Sequence, residues 1–199
     1  MINEFHCPPA PEITILNIIR ERRHTMKNDD FKLIDWSNTY ACGIKLLDEQ
    51  HRNLVNMVND MFIHVTGNEE EECAYFNKIS QEAVKYIRIH FTTEEKIMLA
   101  TKFSGYAEHK TVHDIFITTV AKIISESTTG KRFSLYYFTK FLKDWIISHI
   151  GLMDKLYFVH LKKIATHKNN GKLSISLEDI QAAGNGKKDI SNSKLQHTA

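Results

Sequence analysis

Proline and glycine are scarce in this 199-residue chain, with 3 Pro and 8 Gly. The prolines are Pro8, Pro9 and Pro11, so beyond Pro11 nothing interrupts long helices. An all-β sandwich needs turn residues roughly every ten positions and does not fit. Cysteine is scarce too. Cys7, Cys42 and Cys73 are widely spaced and form no C-x-x-C pair, which argues against a disulfide framework or a zinc–thiolate site and makes a reducing cytoplasm the expected location. No run approaches the roughly 18–20 apolar residues of a membrane span. Nor does the N-terminus have the order of an export signal: Pro8-Pro9-Ala10-Pro11 precede the apolar run from Ile13 to Ile19, and Arg20-Glu21-Arg22-Arg23 follow it. A net charge of +2 with His neutral gives no global field for nucleic acid or an anionic membrane. Apolar residues at 42% and charged residues at 25% are ordinary for a globular chain and exclude a mostly disordered one. What the sequence has in excess is histidine, 11 in all.

Three regions are expected. Residues 1–30 form an N-terminal extension whose apolar stretch fits a strand or a short helix. Residues 31–166 form a helical body. Residues 167–199 form a polar C-terminal tail with Asn169-Asn170-Gly171 and Gly184-Asn185-Gly186 as breakers, and it is expected to be flexible. Within the body, apolar residues recur at three- and four-residue steps in four segments. The first runs from about Ile44 to Val65. The second opens at Asn68 with Glu69 to Glu72 placed to favour a helix N-terminus. The third begins near Gly105-Tyr106 and ends at Ser127 to Gly130, and the fourth begins at Ser134 as an N-cap. Short connections favour antiparallel neighbours, so the fold class is all-α: an antiparallel up-down-up-down four-helix bundle with an N-terminal arm.

Histidines interrupt the apolar stripes. His51 lies between Leu47 and Leu54 on the first, and His90 and Glu94 follow Tyr86 and Ile87 on the second. His109 and His113 precede Phe116 on the third, and His149 follows Trp145 and Ile146 on the fourth. A lone histidine on an apolar face is ordinarily a core residue with one hydrogen bond. Five in one bundle, with a carboxylate in step, are a different matter, because buried imidazoles and carboxylates are costly unless paired or bound to metal. The pattern therefore points to metal. His6, His24, His64, His160, His167 and His197 do not join it.

His51 within Asp48-Glu49-Gln50-His51, His90-x-x-x-Glu94, His109-x-x-x-His113 and His149-x-x-x-x-Asp154 together resemble the hemerythrin family, in its bacterial single-domain form. Trp36 and Gly43-Ile44 are similar to the family's N-terminal arm, and the resemblance covers about Ile34 to Tyr157. It implies a non-haem di-iron centre with a bridging oxo or hydroxo group. His109, His113 and His149 would bind one iron, His51 and His90 the other, and Glu94 and Asp154 would bridge both. The iron with one imidazole fewer keeps an open position for dioxygen. The resemblance also makes pocket walls of several of Leu54, Phe91, Trp145, Ile146 and Ile150, which otherwise are simply bundle core. One spacing conflicts with a regular helix. His149 and Asp154 are five apart, about 140° around an α-helix, so a π-bulge or an irregular end near Gly151 is expected.

Reversible dioxygen binding, for storage, delivery or buffering, is the first expectation, with dioxygen the ligand and no enzymatic role. A sensor passing its state through the terminal extensions to an unidentified protein partner is the alternative. A di-iron enzyme acting on peroxide or nitric oxide ranks below it, because oxygen-activating di-iron bundles carry four carboxylates and two Glu-x-x-His pairs. Here the only such spacing, Glu21-x-x-His24, lies outside the bundle.

Overall fold

The computed structural model describes residues 32–37, 40–129 and 133–168, with Asn17 and Glu21 singly and without the side chains of 165–168. The rest of the N-terminal extension, and the tail beyond Lys168, lie outside the described residues. Helix α1 spans Lys45–Ile63, α2 Glu69–Ala100, α3 Tyr106–Thr128 and α4 Leu135–Ser148. A π turn over His149–Met153 runs straight into α5, Asp154–Lys168. α4, the π turn and α5 therefore make one rod, the fourth of a helical bundle. No strand occurs among the described residues, and no described helix is long and apolar enough to cross a membrane. α2 packs along α3 and α1 along α4.

Helix ends follow local chemistry at α2 and long-range chemistry at α4. Asn68 is the N-cap of α2, its side chain accepting from the amides of Glu70 and Glu71 at 3.1 and 3.3 Å, ahead of four acidic residues in the first turn. Ser134 does occupy the N-cap position of α4, but its side chain makes no cap hydrogen bond. The orphaned amide of Leu135 instead donates to Glu72 Oε2 at 3.1 Å. Glu72 Oε1 accepts from Thr66 and Gly67 at 2.9 and 2.8 Å. Gly67 has φ +79°, a left-handed conformation that favours glycine. One buried carboxylate thus ties the α1–α2 connection to the start of α4, and three amides offset its desolvation.

The N-terminal arm runs along α1. The amides of Leu33 and Ile34 donate to Asn59 Oδ1 at 2.9 and 2.8 Å, and Asn59 Nδ2 donates back to the Ile34 carbonyl at 2.8 Å. Further along, the Arg52 guanidinium lies 4.9 Å over the Trp36 ring. Asp48 accepts from the amides of Cys42 and Gly43 at 2.7 and 3.1 Å.

Among the described residues the core comes in two apolar clusters. The larger includes Leu54, Phe76, Ile87, Phe91, Phe116, Leu142 and Ile146. The smaller holds Cys42, Leu47, Ile97, Met98, Tyr157, Phe158 and Leu161. Along α1, α2 and the α4–α5 rod, the polar residues His51, His90, Glu94, His149 and Asp154 fall between members of the two clusters. A polar layer is therefore sealed by apolar side chains above and below.

Candidate metal centre

Four rods contribute to that layer. α1 brings His51, α2 His90 and Glu94, α3 His109 and His113, and the fourth rod His149 and Asp154. All seven are buried. On a regular helix His149 and Asp154 would diverge, but the Asp154 amide donates to the His149 carbonyl, five residues back. This π turn brings both side chains to one face, with His149 Nε2 3.2 Å from Asp154 Oδ1. Gly151 lies within it without being sterically required, since a Cβ there would meet nothing within 4 Å.

The donors form two groups that share Glu94. One is Glu94, His109, His113 and His149; the other is His51, His90, Glu94 and Asp154, and within each group the ligand atoms lie within 4.8 Å of one another. Asp154 spans the two, Oδ2 lying 3.4 Å from His51 Nε2 and Oδ1 3.3 Å from His109 Nε2. Glu94 does likewise, with Oε1 3.6 Å from His51 Nε2 and Oε2 3.3 Å from His113 Nε2.

These atoms are arranged for cations. His113 Nε2 lies 3.1 Å from His109 Nε2 and 3.0 Å from His149 Nε2. Metal–imidazole bonds of about 2.1 Å at right angles set neighbouring nitrogens about 3.0 Å apart. Among the described residues, the buried side-chain N and O atoms without a hydrogen-bond partner belong to His51, His90, Glu94, His149 and Asp154, apart from Trp36 Nε1. Unsatisfied buried polar atoms are rare in folded proteins. Here they are concentrated where a cation would satisfy them together, and imidazole with carboxylate is a donor set suited to iron, among other first-row metals.

The field in the layer is uneven. Burial would lower the pKa of His51, but Asp154 and Glu94 carry it up to about 9. Burial holds His90 down at about 4, with Glu94 only partly offsetting it. Burial would raise Glu94, yet His90 and the imidazoles of His109, His113 and His149 facing it keep it well below the usual carboxylate range.

Three supporting residues had no signal in the spacing. Gln50 Oε1 lies 3.2 Å from His90 Nδ1, and Glu95 Oε1 lies 3.2 Å from His113 Nδ1. Each can accept the Nδ1 proton and leave Nε2 as a lone-pair donor toward the layer. The Tyr157 hydroxyl, fully buried, donates to Glu94 Oε1 at 3.0 Å. Aromatic rings fix two imidazoles from behind: Phe91 is stacked on His113 at 3.7 Å and Trp145 on His149 at 4.2 Å. His64 and His160 stand apart, bonded to the carbonyls of Asp60 and Thr101.

Beside these rings an apolar cavity of about 20 Å³ runs into the core, lined in part by Leu54, Phe91, Trp145, Ile146 and Phe116. Ile150 is buried in the same cluster but is not among the lining residues.

Residues 42–161 match the family model of the hemerythrin HHE cation binding domain, more than half of the chain. The chain belongs to the hemerythrin family. A bacteriohemerythrin of Stenotrophomonas maltophilia is 30% identical over 151 residues, covering 73% of this chain and 96% of that protein. A bacteriohemerythrin of Methylococcus capsulatus is 28% identical over 127 residues, covering 63% of this chain and 94% of that protein. The myohemerythrin of Sipunculus nudus is 25% identical, covering 61% of this chain and 88% of its own. A solved hemerythrin, a leucine-to-alanine mutant, superposes with a TM-score of 0.58 at 28% identity, covering 65% of this chain and 98% of that one. The hemerythrin match contains every one of the seven converging donors.

Proposed function

We propose that this hemerythrin binds dioxygen reversibly at a non-haem centre of two irons joined by an oxo or hydroxo bridge, serving oxygen storage, delivery or buffering rather than catalysis. His109, His113 and His149 would hold one iron, His51 and His90 the other, and Glu94 and Asp154 would span both. The observation that carries this reading is the pair of buried donor groups sharing one carboxylate. When bound, the irons supply the redox equivalents that let dioxygen be taken up and given back.

The chain's own residues do the rest. Gln50 and Glu95 keep His90 and His113 in the tautomer that offers Nε2. Tyr157 holds the Glu94 carboxylate in place through one hydrogen bond. Three imidazoles would serve one iron and two the other, so the His51–His90 side would be the one with fewer protein ligands and room for a small molecule. Leu54, Phe91, Trp145 and Ile146 line the apolar cavity, Phe91 and Trp145 backing His113 and His149, and such a wall keeps away the water and protons that would make oxidation irreversible. The donor set, five imidazoles and two carboxylates, differs from the carboxylate-rich set of oxygen-activating bundles and favours a carrier over an enzyme.

Iron-loaded, reduced protein taken repeatedly between air and argon tests this. A visible absorption band should appear in air, vanish under argon and return with little loss of amplitude. A single irreversible change would contradict the proposal.

A further inference from the structure

Gln50 and Glu95 support their histidines with different groups. An ionised carboxylate has only oxygens to present, so the Glu95 contact with His113 Nδ1 at 3.2 Å has one polarity. The Gln50 amide carries an oxygen on one side and an NH2 on the other, and a half-turn exchanges them with almost no change of shape. With the oxygen toward His90 Nδ1 the amide accepts the ring proton, and Nε2 keeps its lone pair. With the nitrogen toward it the tautomer is reversed. Gln50 is buried, and its direction has to be set by a further partner.

That partner is Thr93, half-buried on α2 three residues beyond His90. Gln50 Nε2 donates to Thr93 Oγ1 at 3.3 Å, and Thr93 Oγ1 lies 2.8 Å from the Ile89 carbonyl one helical turn back. Two oxygens this close need a proton between them, and a carbonyl has none. The threonine hydroxyl therefore donates to Ile89 and turns only lone pairs toward Gln50. The polarity then runs in one direction across the two helices. Thr93 accepts from Gln50 Nε2, which leaves Gln50 Oε1 to accept from His90 Nδ1 at 3.2 Å. At the other end of the ring, His90 Nε2 has no hydrogen-bond partner, and Glu94 Oε2 stands 3.7 Å away.

We propose that Thr93 is a positioning residue for the centre, setting the His90 tautomer by fixing which end of the Gln50 amide faces that ring. The consequence for iron rests on the function proposed above; the tautomer itself does not. Without the hydroxyl, neither direction of the amide is preferred on the Thr93 side. The charges of Glu94 and Asp154, which act on His90, then draw the ring proton to Nε2, and Gln50 turns to donate to Nδ1. A ring protonated at Nε2 has to move that proton before it can bind a cation there.

Nitrogen NMR of the imidazoles in the metal-free full chain tests this. His90 should carry its proton on Nδ1 in the unsubstituted protein. Thr93→Val, close in shape, should move the larger part of it to Nε2, and Thr93→Ser should keep it on Nδ1. Ferrous affinity, by competition with a chelator, should fall on the order of tenfold in Thr93→Val and far less in Thr93→Ser. Should the valine variant fail to fold, Thr93→Ala removes the hydroxyl without adding an atom and is expected to give the same result. A proton on Nε2 in the unsubstituted chain, or one that stays on Nδ1 without the hydroxyl, would overturn the proposal. Loss of affinity with an unchanged tautomer would mark a merely structural role and overturn it equally. These tautomers in a protein that fails to bind oxygen reversibly would contradict the proposed function and uphold the role of Thr93.

Discussion

The amide of Asp154 donates to the carbonyl of His149, five residues earlier, and the wider turn brings the Asp154 carboxylate onto the imidazole's side of the rod, 3.2 Å away. Backbone geometry, rather than side-chain choice alone, completes the polar layer. The turn is held by the packing of the rod, through Leu142 and Ile146 before it, Ile150 within it, and Tyr157 and Leu161 after it.

Gly151 is therefore dispensable. A Cβ added there would have no atom within 4 Å, and the residue has no left-handed φ. Gly151→Ala should stabilise the fold by about 0.5–1 kcal/mol through helix propensity and a less flexible unfolded chain. Iron content should be unchanged. Denaturant unfolding and iron analysis on the same preparation check both parts.

Glu95 acts on the centre through His113. Removing its carboxylate in Glu95→Ala frees the imidazole to turn or change tautomer, and iron affinity should fall about 10–100-fold. Glu95→Gln keeps an oxygen acceptor and should lose less. Competition with a chelator measures both.

The metal-free protein should be most stable near pH 6.5 as far as these two histidines decide it. His51 is raised to about 9, so its contribution is full below the unfolded value and is lost as pH rises from about 6.5 to 9. His90 is lowered to about 4, so stability falls as pH drops from about 6.5 to 4, where the unfolded state takes up a proton that the folded state refuses. Glu94, held low, adds a further loss at more acid pH. Iron should change this profile on the alkaline side, because coordinated His51 must be neutral. Thermal unfolding across pH, with and without iron, tests the difference.

Ile146 lines the apolar cavity and is 5% exposed. Ile146→Asn brings a polar side chain and its water beside the centre, and irreversible oxidation of the iron-loaded protein should run several-fold faster. The measurement is the decay of the air-dependent absorption band with time. A smaller substitution, Ile146→Val, should leave that decay nearly unchanged.

Sequence periodicity made the helices and the inward positions of the histidines legible, because an imidazole on an apolar stripe stands out against Leu47 and Leu54 or Ile87 and Phe91. The five-residue step from His149 to Asp154 pointed to a π-bulge or an irregular end, and the rod takes the first of these. Contacts between distant positions left no such trace. Ser134 has the identity of a cap, yet Glu72, 63 residues before Leu135, takes the amide. Gln50, Glu95 and Tyr157 are ordinary polar and aromatic residues in helical sequence, and only the packing of neighbouring rods sets them against His90, His113 and Glu94. Ile150 neighbours a histidine in sequence, but it packs in the core without lining the cavity.

Iron stoichiometry tests the central claim most directly. The purified full chain, reconstituted with ferrous iron without oxygen and freed of excess metal, should hold two irons per chain, and His109→Ala or His51→Ala should each lower that number while the helical content persists. One iron per chain in the unsubstituted protein, or an iron content indifferent to both substitutions, would contradict the account.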